Sequence, residues 1–233
     1  MLAQLARFIQ VNIAVDLASF IGYIGEMRIS GGDSKGRQIK SPRHGGLRPT
    51  SDKVREALFS ILGQRVESAV FLELFAGTGA VGIEALSRGA ARCVFVDKSE
   101  KAAKLIRENL DAMGYRERGQ VVAKDVLTFL RKTAPALGPF DLVFVDPPYH
   151  EEAGHKAMSE LGEDPPSKSA LAEPTENEAA SIDAVRPAAL SPGAVVVFEH
   201  FKKLPAPEAF GRLVKRRDYS YGDTVLSLYY LNH

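Results

Sequence analysis

From residue 70 onwards, short apolar runs alternate with longer segments whose apolar residues recur at helical spacing. Buried strands that alternate with amphipathic helices are typical of a parallel sheet covered on both faces, so the pattern predicts an α/β fold. The predicted strands cover residues 70–75, 92–96, 120–123, 140–145 and 194–198, and two last runs, 212–219 and 224–231, predict a terminal hairpin. The predicted helices cover residues 80–88, 100–113, 126–132 and 184–190.

The chain has a different character before this domain begins. Residues 1–26 are apolar-rich, but polar residues interrupt them, so we expect an N-terminal extension rather than a bilayer-spanning helix and assign it no role. Residues 27–66 combine glycine-rich strand and turn pieces with a helix that begins near residue 51. Residues 67–233 then form the main domain.

Charge is distributed unevenly, although the net charge of the chain is only +1. Residues 28–65 carry nine basic residues against three acidic ones, which makes this segment a plausible contact for RNA phosphates. Residues 151–183 carry nine acidic residues against two basic ones, together with several prolines. We expect this acidic segment to be a mobile surface insertion in the main domain, helical only in parts.

Cysteine and histidine usage excludes two classes of protein. The single cysteine, Cys93, lies inside a predicted strand, which excludes a disulfide framework and fits a reducing compartment such as the cytoplasm. Cysteines and histidines do not cluster at metal-ligand spacing, so we expect no metal.

A glycine-rich turn connects the first strand of the main domain to its first helix. Its sequence, Glu73-Leu-Phe-Ala-Gly77-Thr-Gly79-Ala-Val-Gly82, lets the backbone turn tightly and approach a ligand. Asp97 ends the next strand, where a carboxylate can hold the two hydroxyls of an adenosine ribose. Because Gly77-x-Gly79-x-x-Gly82 also satisfies the dinucleotide-binding fingerprint, the turn alone fits a dehydrogenase as well as a methyltransferase.

Further side chains near this turn favour a methyltransferase. Glu73 stands just before the turn, where it can pair with the amino group of a methionine moiety. Asp125 follows the third strand, where it can accept a hydrogen bond from an adenine amino group or simply cap the next helix. Phe75 within the turn and Lys98 beside Asp97 complete the candidate cofactor-binding residues. The acidic groups project from the edge at which open α/β sheets bind ligands.

The fourth strand ends in Asp146-Pro147-Pro148-Tyr149, the most informative motif of the chain. Two prolines fix φ and remove two backbone donors, so acceptors dominate the local surface. Asp146 and the carbonyl of Pro147 can accept the hydrogens of an exocyclic amino group, and Tyr149 can stack on a base drawn out of its helix. We therefore predict that Asp146, Pro147 and Tyr149 are catalytic.

A polar and basic cluster lies upstream of the glycine-rich turn. Arg48 and Thr50 precede a predicted helix, and Arg55 lies in its first turn. These residues are candidates for binding RNA phosphates, and a capped helix with exposed arginines explains them equally well.

These motifs resemble the RsmD family of bacterial 16S ribosomal RNA guanine-N2 methyltransferases. The resemblance covers most of the chain from Met27 onwards, with its landmarks in the expected order. The landmarks are Met27-Arg-Ile-Ser-Gly-Gly32, Leu47-Arg-Pro-Thr-Ser-Asp-Lys-Val-Arg-Glu-Ala-Leu-Phe59, Leu74-Phe-Ala-Gly-Thr-Gly79, Glu84-Ala-Leu-Ser-Arg-Gly-Ala90, Asp146-Pro-Pro-Tyr149 and Tyr221-Gly-Asp-Thr224.

The resemblance implies a Rossmann-like class I S-adenosylmethionine-dependent methyltransferase. Its sheet would have seven strands, mostly parallel, with an antiparallel last strand. It also implies that the substrate is a guanine in 16S ribosomal RNA, presented on a small ribosomal subunit or an assembly intermediate. We expect a cytoplasmic monomer that needs neither a membrane nor a metal. Residues 1–26 and the long acidic segment depart from the family pattern.

Three other functions fit parts of the pattern. Asp-Pro-Pro-Tyr serves an adenine amino group as well as a guanine one, so an adenine-N6 methyltransferase of DNA or RNA is the nearest alternative. A non-catalytic RNA-binding assembly factor could keep the same fold, although Glu73, Asp97 and Asp146 are intact. A nicotinamide dehydrogenase is the third, and it has no particular use for the Asp-Pro-Pro-Tyr motif.

Overall fold

The computed structural model describes residues 27–41, 52–148, 152–163 and 189–232. The predictions that lie wholly or mostly outside the described residues concern the N-terminal extension, Arg48, Thr50, Tyr149 and the helix over 184–190.

An eight-stranded sheet forms the centre of the described structure. A separate antiparallel pair, β1 (Met27–Arg28) and β2 (Gln38–Ile39), precedes it. The parallel strands of the main sheet are β3 (Val70–Leu74), β4 (Arg92–Asp97), β5 (Gly119–Ala123), β6 (Phe140–Val145) and β7 (Leu190–Phe201). The antiparallel strands are β8 (Ala209–Phe210), β9 (Leu213–Tyr221) and β10 (Thr224–Leu231). The order across the sheet is β5-β4-β3-β6-β7-β10-β9-β8.

The predicted α/β class, the mostly parallel sheet and the antiparallel last strand are confirmed. β10 lies between β7 and β9 and is antiparallel to both. The main sheet has eight strands rather than seven because Ala209 and Phe210 pair with the start of β9. A strand of two residues is too short to produce a periodic pattern, so the sequence did not reveal it.

Helices cover both faces of the sheet, as the alternation of strands and helices predicted. They are α1 (Asp52–Leu62), α2 (Ala80–Ser87), α3 (Glu100–Met113), α4 (Val126–Lys132), α5 (Ala134–Leu137) and α6 (Ala153–Gly162). Helices α1, α2 and α3 share one hydrophobic core with one face of the strands, and α4 and α6 share a second core with the opposite face. Successive strand residues point to opposite faces, so Phe144 belongs to the first core and Val145 to the second.

Helix α6 lies inside the acidic segment that we expected to be an insertion. Its side chains Ala157, Met158 and Leu161 are buried in the second core. Its second residue, Gly154, comes so close to Pro147 that an added Cβ would lie 2.5 Å from the Pro147 Cγ. The first part of the acidic segment is therefore a packed helix that supports the Asp-Pro-Pro turn, whereas residues 164–188 lie outside the described residues.

Among the helices described here, none has the length and the apolar character needed to cross a bilayer.

Candidate active site

Three of the predicted acidic residues come together at one edge of the sheet. Glu73, Asp97 and Asp146 lie at the carboxyl ends of β3, β4 and β6, which are neighbours in the sheet with β3 in the middle. In the parallel register, Glu73 stands opposite Phe144 of β6. The three residues therefore form one acidic row at the edge where open α/β sheets bind ligands.

The backbone of the glycine-rich turn between β3 and α2 adopts an unusual conformation. Phe75, Gly77 and Gly79 have φ values of 58°, 53° and 73°, and the half-buried Phe75 is one of two non-glycine residues with positive φ in the described structure. Left-handed conformations are costly for residues with a side chain, and left-handed residues that alternate with right-handed ones can turn backbone N–H groups towards one point. The turn therefore has the local geometry expected of a ligand-binding loop.

Asp97 fixes this turn to the neighbouring strand end. Its Oδ2 accepts a hydrogen bond from the backbone N–H of Gly77 at 2.9 Å, and its Oδ1 accepts one from the N–H of Ser99 at 2.8 Å. Asp97 is only half-buried, so its carboxylate also faces the edge where a ligand would lie. Lys98, the next residue, is exposed. The predicted contact of Asp97 with ribose hydroxyls is compatible with this position and stays a prediction.

Glu73 is buried beneath the first turn of α2. Its two carboxyl oxygens accept hydrogen bonds from the backbone N–H groups of Val81 at 3.3 Å and Gly82 at 2.9 Å. Burial raises the pKa of Glu73 to about 8; the two N–H groups oppose this rise, and the nearby Asp146 and Asp97 add to it. At neutral pH this carboxyl group is therefore largely protonated until a positive charge comes near it.

Gly82 is required by this close packing. A Cβ at this position would lie 2.4 Å from the Phe95 ring, 2.5 Å from Cys93 Sγ and 2.7 Å from Glu73 Oε2. The last glycine of the fingerprint therefore lets α2 approach the strands and Glu73, which is the role such a glycine has in dinucleotide-binding folds.

Asp125 caps helix α4. Its Oδ1 accepts hydrogen bonds from the backbone N–H of Thr128 at 3.0 Å and from the Thr128 hydroxyl at 3.1 Å. The capping role, one of the two that the sequence allowed, is therefore present in the structure. The contact with an adenine amino group stays a prediction.

Asp146 and Pro147 follow β6 at the acidic row. Asp146 is half-buried and lies close enough to Glu73 to influence its pKa, while Pro147 is buried under α6. The close approach of Gly154 to Pro147 places α6 directly against the first half of the motif. The structure thus places Asp146 beside the glycine-rich turn, as predicted. Tyr149 lies outside the described residues.

The expectation that Arg55 contacts RNA is wrong in this structure. Its side chain is fully buried, so it offers no guanidinium surface to a phosphate. Its Nε donates to Glu84 Oε2 at 2.6 Å, and its Nη2 donates to Asp52 Oδ1 at 2.8 Å and to the carbonyl of Arg28. Arg55 therefore ties α1 to α2 and to β1. The sequence did not indicate this because Glu84 is 29 residues away along the chain.

Sequence reasoning missed Glu199 in β7. This residue is 4% exposed and comes directly after Phe198, which pairs with Val145 of β6. The strand before it was predicted, and an acidic residue at the carboxyl end of a strand next to β6 was the available signal.

Comparisons with known proteins find relatives of this chain in sequence and in fold. The family model described as Conserved hypothetical protein 95 matches residues 27–172. The Bacillus subtilis protein named "Putative rRNA methyltransferase YlbH" is 34% identical over 203 residues, which cover 87% of this chain and 98% of that protein. "Ribosomal RNA small subunit methyltransferase D" of Haemophilus influenzae is 38% identical over 141 residues, which cover 60% of this chain and 72% of that protein.

Solved structures are similar as well. "Putative methyltransferase yhhF" from Escherichia coli superposes with a TM-score of 0.71 at 26% identity, covering 89% of this chain and 99% of that chain. An RNA methyltransferase from Salinibacter ruber, solved in complex with S-adenosyl-L-homocysteine, has a TM-score of 0.52 at 18% identity and covers 80% of this chain and 95% of that chain, a likeness of fold alone.

Proposed function

This chain belongs to the RsmD family, described as Conserved hypothetical protein 95, and we propose that it transfers a methyl group from S-adenosylmethionine to the exocyclic N2 of a guanine in 16S ribosomal RNA. The observation that carries the proposal is the acidic row formed by Asp97, Glu73 and Asp146 beside the glycine-rich turn. It combines a cofactor-binding turn with an acceptor for an amino group at one sheet edge.

The residues around the turn fit S-adenosylmethionine. Asp97 stands at the strand end where a carboxylate holds ribose hydroxyls, and Asp125 lies at the end of the next strand for the adenine. Glu73 would face the cationic amino end of the methionine moiety. When bound, the cofactor supplies a methyl group that is already activated by its positively charged sulfur. The protein therefore has to position and desolvate the reactants rather than activate a donor.

Asp146 has the central role towards the base. The amino nitrogen of guanine is a poor nucleophile because its lone pair is delocalised into the ring. A carboxylate that accepts one amino hydrogen, together with the carbonyl of Pro147 for the other, favours a pyramidal nitrogen whose lone pair is available. Tyr149 would stack on the base after it leaves its helix. The packing of Pro147 under α6 supports this role, because it keeps the acceptors in place.

The expected partner is 16S ribosomal RNA within a small ribosomal subunit or an assembly intermediate, bound by a cytoplasmic monomer. Because Arg55 is buried, the described residues best placed to meet the RNA lie on β9. Arg217 is exposed and its guanidinium lies 5.1 Å from the centre of the Tyr219 ring. Tyr219 pairs with Leu226, which in turn pairs with Glu199 of β7, the strand next to β6, so this group lies three strands away from Asp146. A cation beside an aromatic ring suits both phosphates and unstacked bases.

The test is the transfer of labelled methyl from S-adenosylmethionine to small ribosomal subunits purified from a strain that lacks the host enzyme, followed by digestion to nucleosides. We expect label in N2-methylguanosine. Label in N6-methyladenosine would show that the substrate base is adenine and not guanine. Absence of label despite cofactor binding would refute the enzymatic role with this RNA.

A matched pair of variants assigns the chemistry to Asp146. We expect Asp146→Asn to bind S-adenosylhomocysteine with near-normal affinity but to lose at least about a hundredfold in turnover, since the positioned charged acceptor is lost. Asp111→Asn makes the same chemical change at an exposed carboxylate of α3 that pairs with Arg116, and it should leave turnover unchanged. Near-full turnover by Asp146→Asn would refute the assignment.

A further inference from the structure

Glu199 and Asp146 are neighbours across two parallel strands. The register between β6 and β7 pairs Phe144 with Val197 and Val145 with Phe198. Continuing this register by one residue sets Asp146 beside Glu199. Neighbouring strands are about 4.8 Å apart, so the two backbones hold their carboxylates side by side.

Both carboxylates project from the same face of the sheet. Phe144 and Val197, the residues two positions earlier in each strand, belong to the core under α1 and α2, and side chains two residues apart share a face. On the far side of Glu199, Leu226 of β10 belongs to the same core. Glu199 therefore extends the acidic row by one strand, from the cofactor turn towards β9 and β10.

The two carboxyl groups on the cofactor side of this row, those of Asp97 and Glu73, bind backbone N–H groups. Asp97 accepts a hydrogen bond from the N–H of Gly77 in the glycine-rich turn, and Glu73 accepts hydrogen bonds from two N–H groups of α2. Glu199 lies beyond Asp146, at the end of the row away from the cofactor turn. A side chain at that position can contact the base next to the amino group that Asp146 holds.

The base edge that suits two neighbouring carboxylates is that of guanine. Guanine presents its N2 amino group and its N1–H side by side, and both donate hydrogen bonds, whereas an ionised carboxylate only accepts them. Adenine and cytosine also carry an exocyclic amino group. In both, however, the adjacent ring nitrogen is an acceptor, which would face the Glu199 carboxylate with like polarity.

We propose that Glu199 is the residue that selects guanine, by accepting a hydrogen bond from the ring N1–H while Asp146 accepts one from the N2 amino group. The inference rests on the proposed function and adds a residue that determines specificity. Glu199 is only 4% exposed, and a carboxylate shielded from water makes stronger hydrogen bonds and rejects a mismatched group more strongly.

The test combines a base analogue with a variant. 2-Aminopurine keeps the amino group of guanine at C2, but its N1 is an acceptor without hydrogen. Small subunits are reconstituted with 16S ribosomal RNA that carries guanine or 2-aminopurine at the nucleotide found to be methylated by the wild-type protein. The kcat/KM for both particles is measured with the wild type, Glu199→Gln and the control Glu117→Gln, which alters an exposed residue.

We expect the wild type to prefer guanine by roughly a hundredfold or more. Glu199→Gln should lose about tenfold to a hundredfold on guanine, the effect of weakening one charge-assisted hydrogen bond, with the affinity for S-adenosylhomocysteine unchanged. Its preference for guanine should fall by at least about tenfold, because the new amide can donate to N1 of 2-aminopurine. Glu117→Gln should match the wild type on both particles.

Several outcomes would overturn the inference. An equal loss on both particles would assign Glu199 a purely structural role, and an unchanged preference would remove it from base recognition. If Glu199→Gln does not fold, the wild type alone decides: use of both particles within about threefold would refute the selection of N1–H. Failure of the wild type to methylate even the guanine particle would refute the proposed function itself, which distinguishes the two failures.

Discussion

Two buried glutamates, one on helix α2 and one beneath its first turn, have opposite electrostatic surroundings. Glu84, on the helix, accepts hydrogen bonds from Arg55, Arg88 and Ser30. Burial alone would raise its pKa, but the hydroxyl and the two guanidinium groups outweigh burial and hold the pKa below its ordinary value. Glu73, beneath the helix, receives only neutral backbone N–H groups and stands near two other carboxyls, so its pKa rises to about 8.

The difference separates a structural carboxylate from one that we propose to contact a ligand. Around Glu84 the protein supplies its own positive charges, and the result is a bridge between α1, α2 and the segment after β1. Among the described residues, none of the groups that shift the pKa of Glu73 carries a positive charge, so a cationic ligand would complete the site. The same residue type, buried in both places, thus has a structural role at Glu84, whereas the surroundings of Glu73 fit the proposed contact with the cofactor.

Neutralising Glu84 should have the largest effect on stability. In Glu84→Gln, the buried Arg55 keeps its charge but loses its buried countercharge and retains only the exposed Asp52, so we expect the free energy of unfolding to fall by about 3–5 kcal/mol. Urea unfolding measures this, with Glu117→Gln as an exposed control that should change stability by less than about 0.5 kcal/mol. A loss below about 1 kcal/mol for Glu84→Gln would contradict the idea that this network joins the N-terminal segment to the domain.

The raised pKa of Glu73 should instead make the stability of the protein depend on pH. Below pH 4.5 both the folded and the unfolded chain carry its proton, and above about pH 8 neither does. Between these values only the folded chain holds the proton, so its contribution to the free energy of unfolding falls as the pH rises, by up to about 1.4 kcal/mol per pH unit.

The measurement is urea unfolding of the wild type and Glu73→Gln across this range. Glu73→Gln should be less stable at low pH, because its amide faces two N–H donors with only one acceptor. The difference between the two proteins should shrink towards pH 8. A difference that is constant between pH 5 and 8 would show that Glu73 titrates normally in the folded protein.

The sequence was sufficient for most of the fold, because its strands are continuous apolar runs and its helices have clear ends. Helix α3 begins and ends where it was predicted, since Ser99 caps it and Gly114 ends it with a φ of 78°. The short β8 was not anticipated, and the acidic segment was expected to be a surface insertion, helical only in parts, whereas its helix α6 packs in the second core. A strand of two residues, such as β8, is too short to show a periodic pattern. The charged residues around α6 obscure the helical spacing of its apolar residues.

The site was predictable where a motif is local in the sequence. Asp97 ends its strand and Asp146 directly follows its own, and the two meet because parallel strands end at one edge. Arg55 and Glu199 depend on contacts between distant segments. The sequence shows that Arg55 is basic, but only the fold shows that Glu84 buries it, and Glu199 gains meaning only from the register of β7 against β6.

The affinity for S-adenosylmethionine should depend on pH, and this dependence tests the proposed contact of Glu73 with the cofactor. A cationic ligand favours the ionised form of Glu73, so binding below pH 8 should release a proton. We expect the Kd of S-adenosylmethionine to fall by roughly fivefold per unit as the pH rises from 6 to 8.

Titration calorimetry in buffers with different ionisation enthalpies measures both the affinity and the released proton. Glu73→Gln should bind more weakly, with little dependence on pH and no proton release attributable to this site. If the wild type also binds without releasing a proton, Glu73 does not face the cationic end of the cofactor and serves only as a buried cap of α2.

We expect the smallest effects at Asp125. Like Glu73, it accepts a hydrogen bond from a backbone N–H at the start of a helix, but it is exposed to water. Asp125→Ala should cost about 1 kcal/mol of stability through the lost cap, whereas Asp125→Asn should retain most of it because asparagine caps equally well. If Asp125 also accepts a hydrogen bond from the adenine amino group, Asp125→Ala should weaken S-adenosylmethionine binding by roughly fivefold to tenfold, an effect absent for the exposed control Asp111→Asn. Reduced stability with unchanged affinity would leave Asp125 as a helix cap alone. The cofactor would then depend on Asp97 and on Glu73, which the protein buries beneath α2.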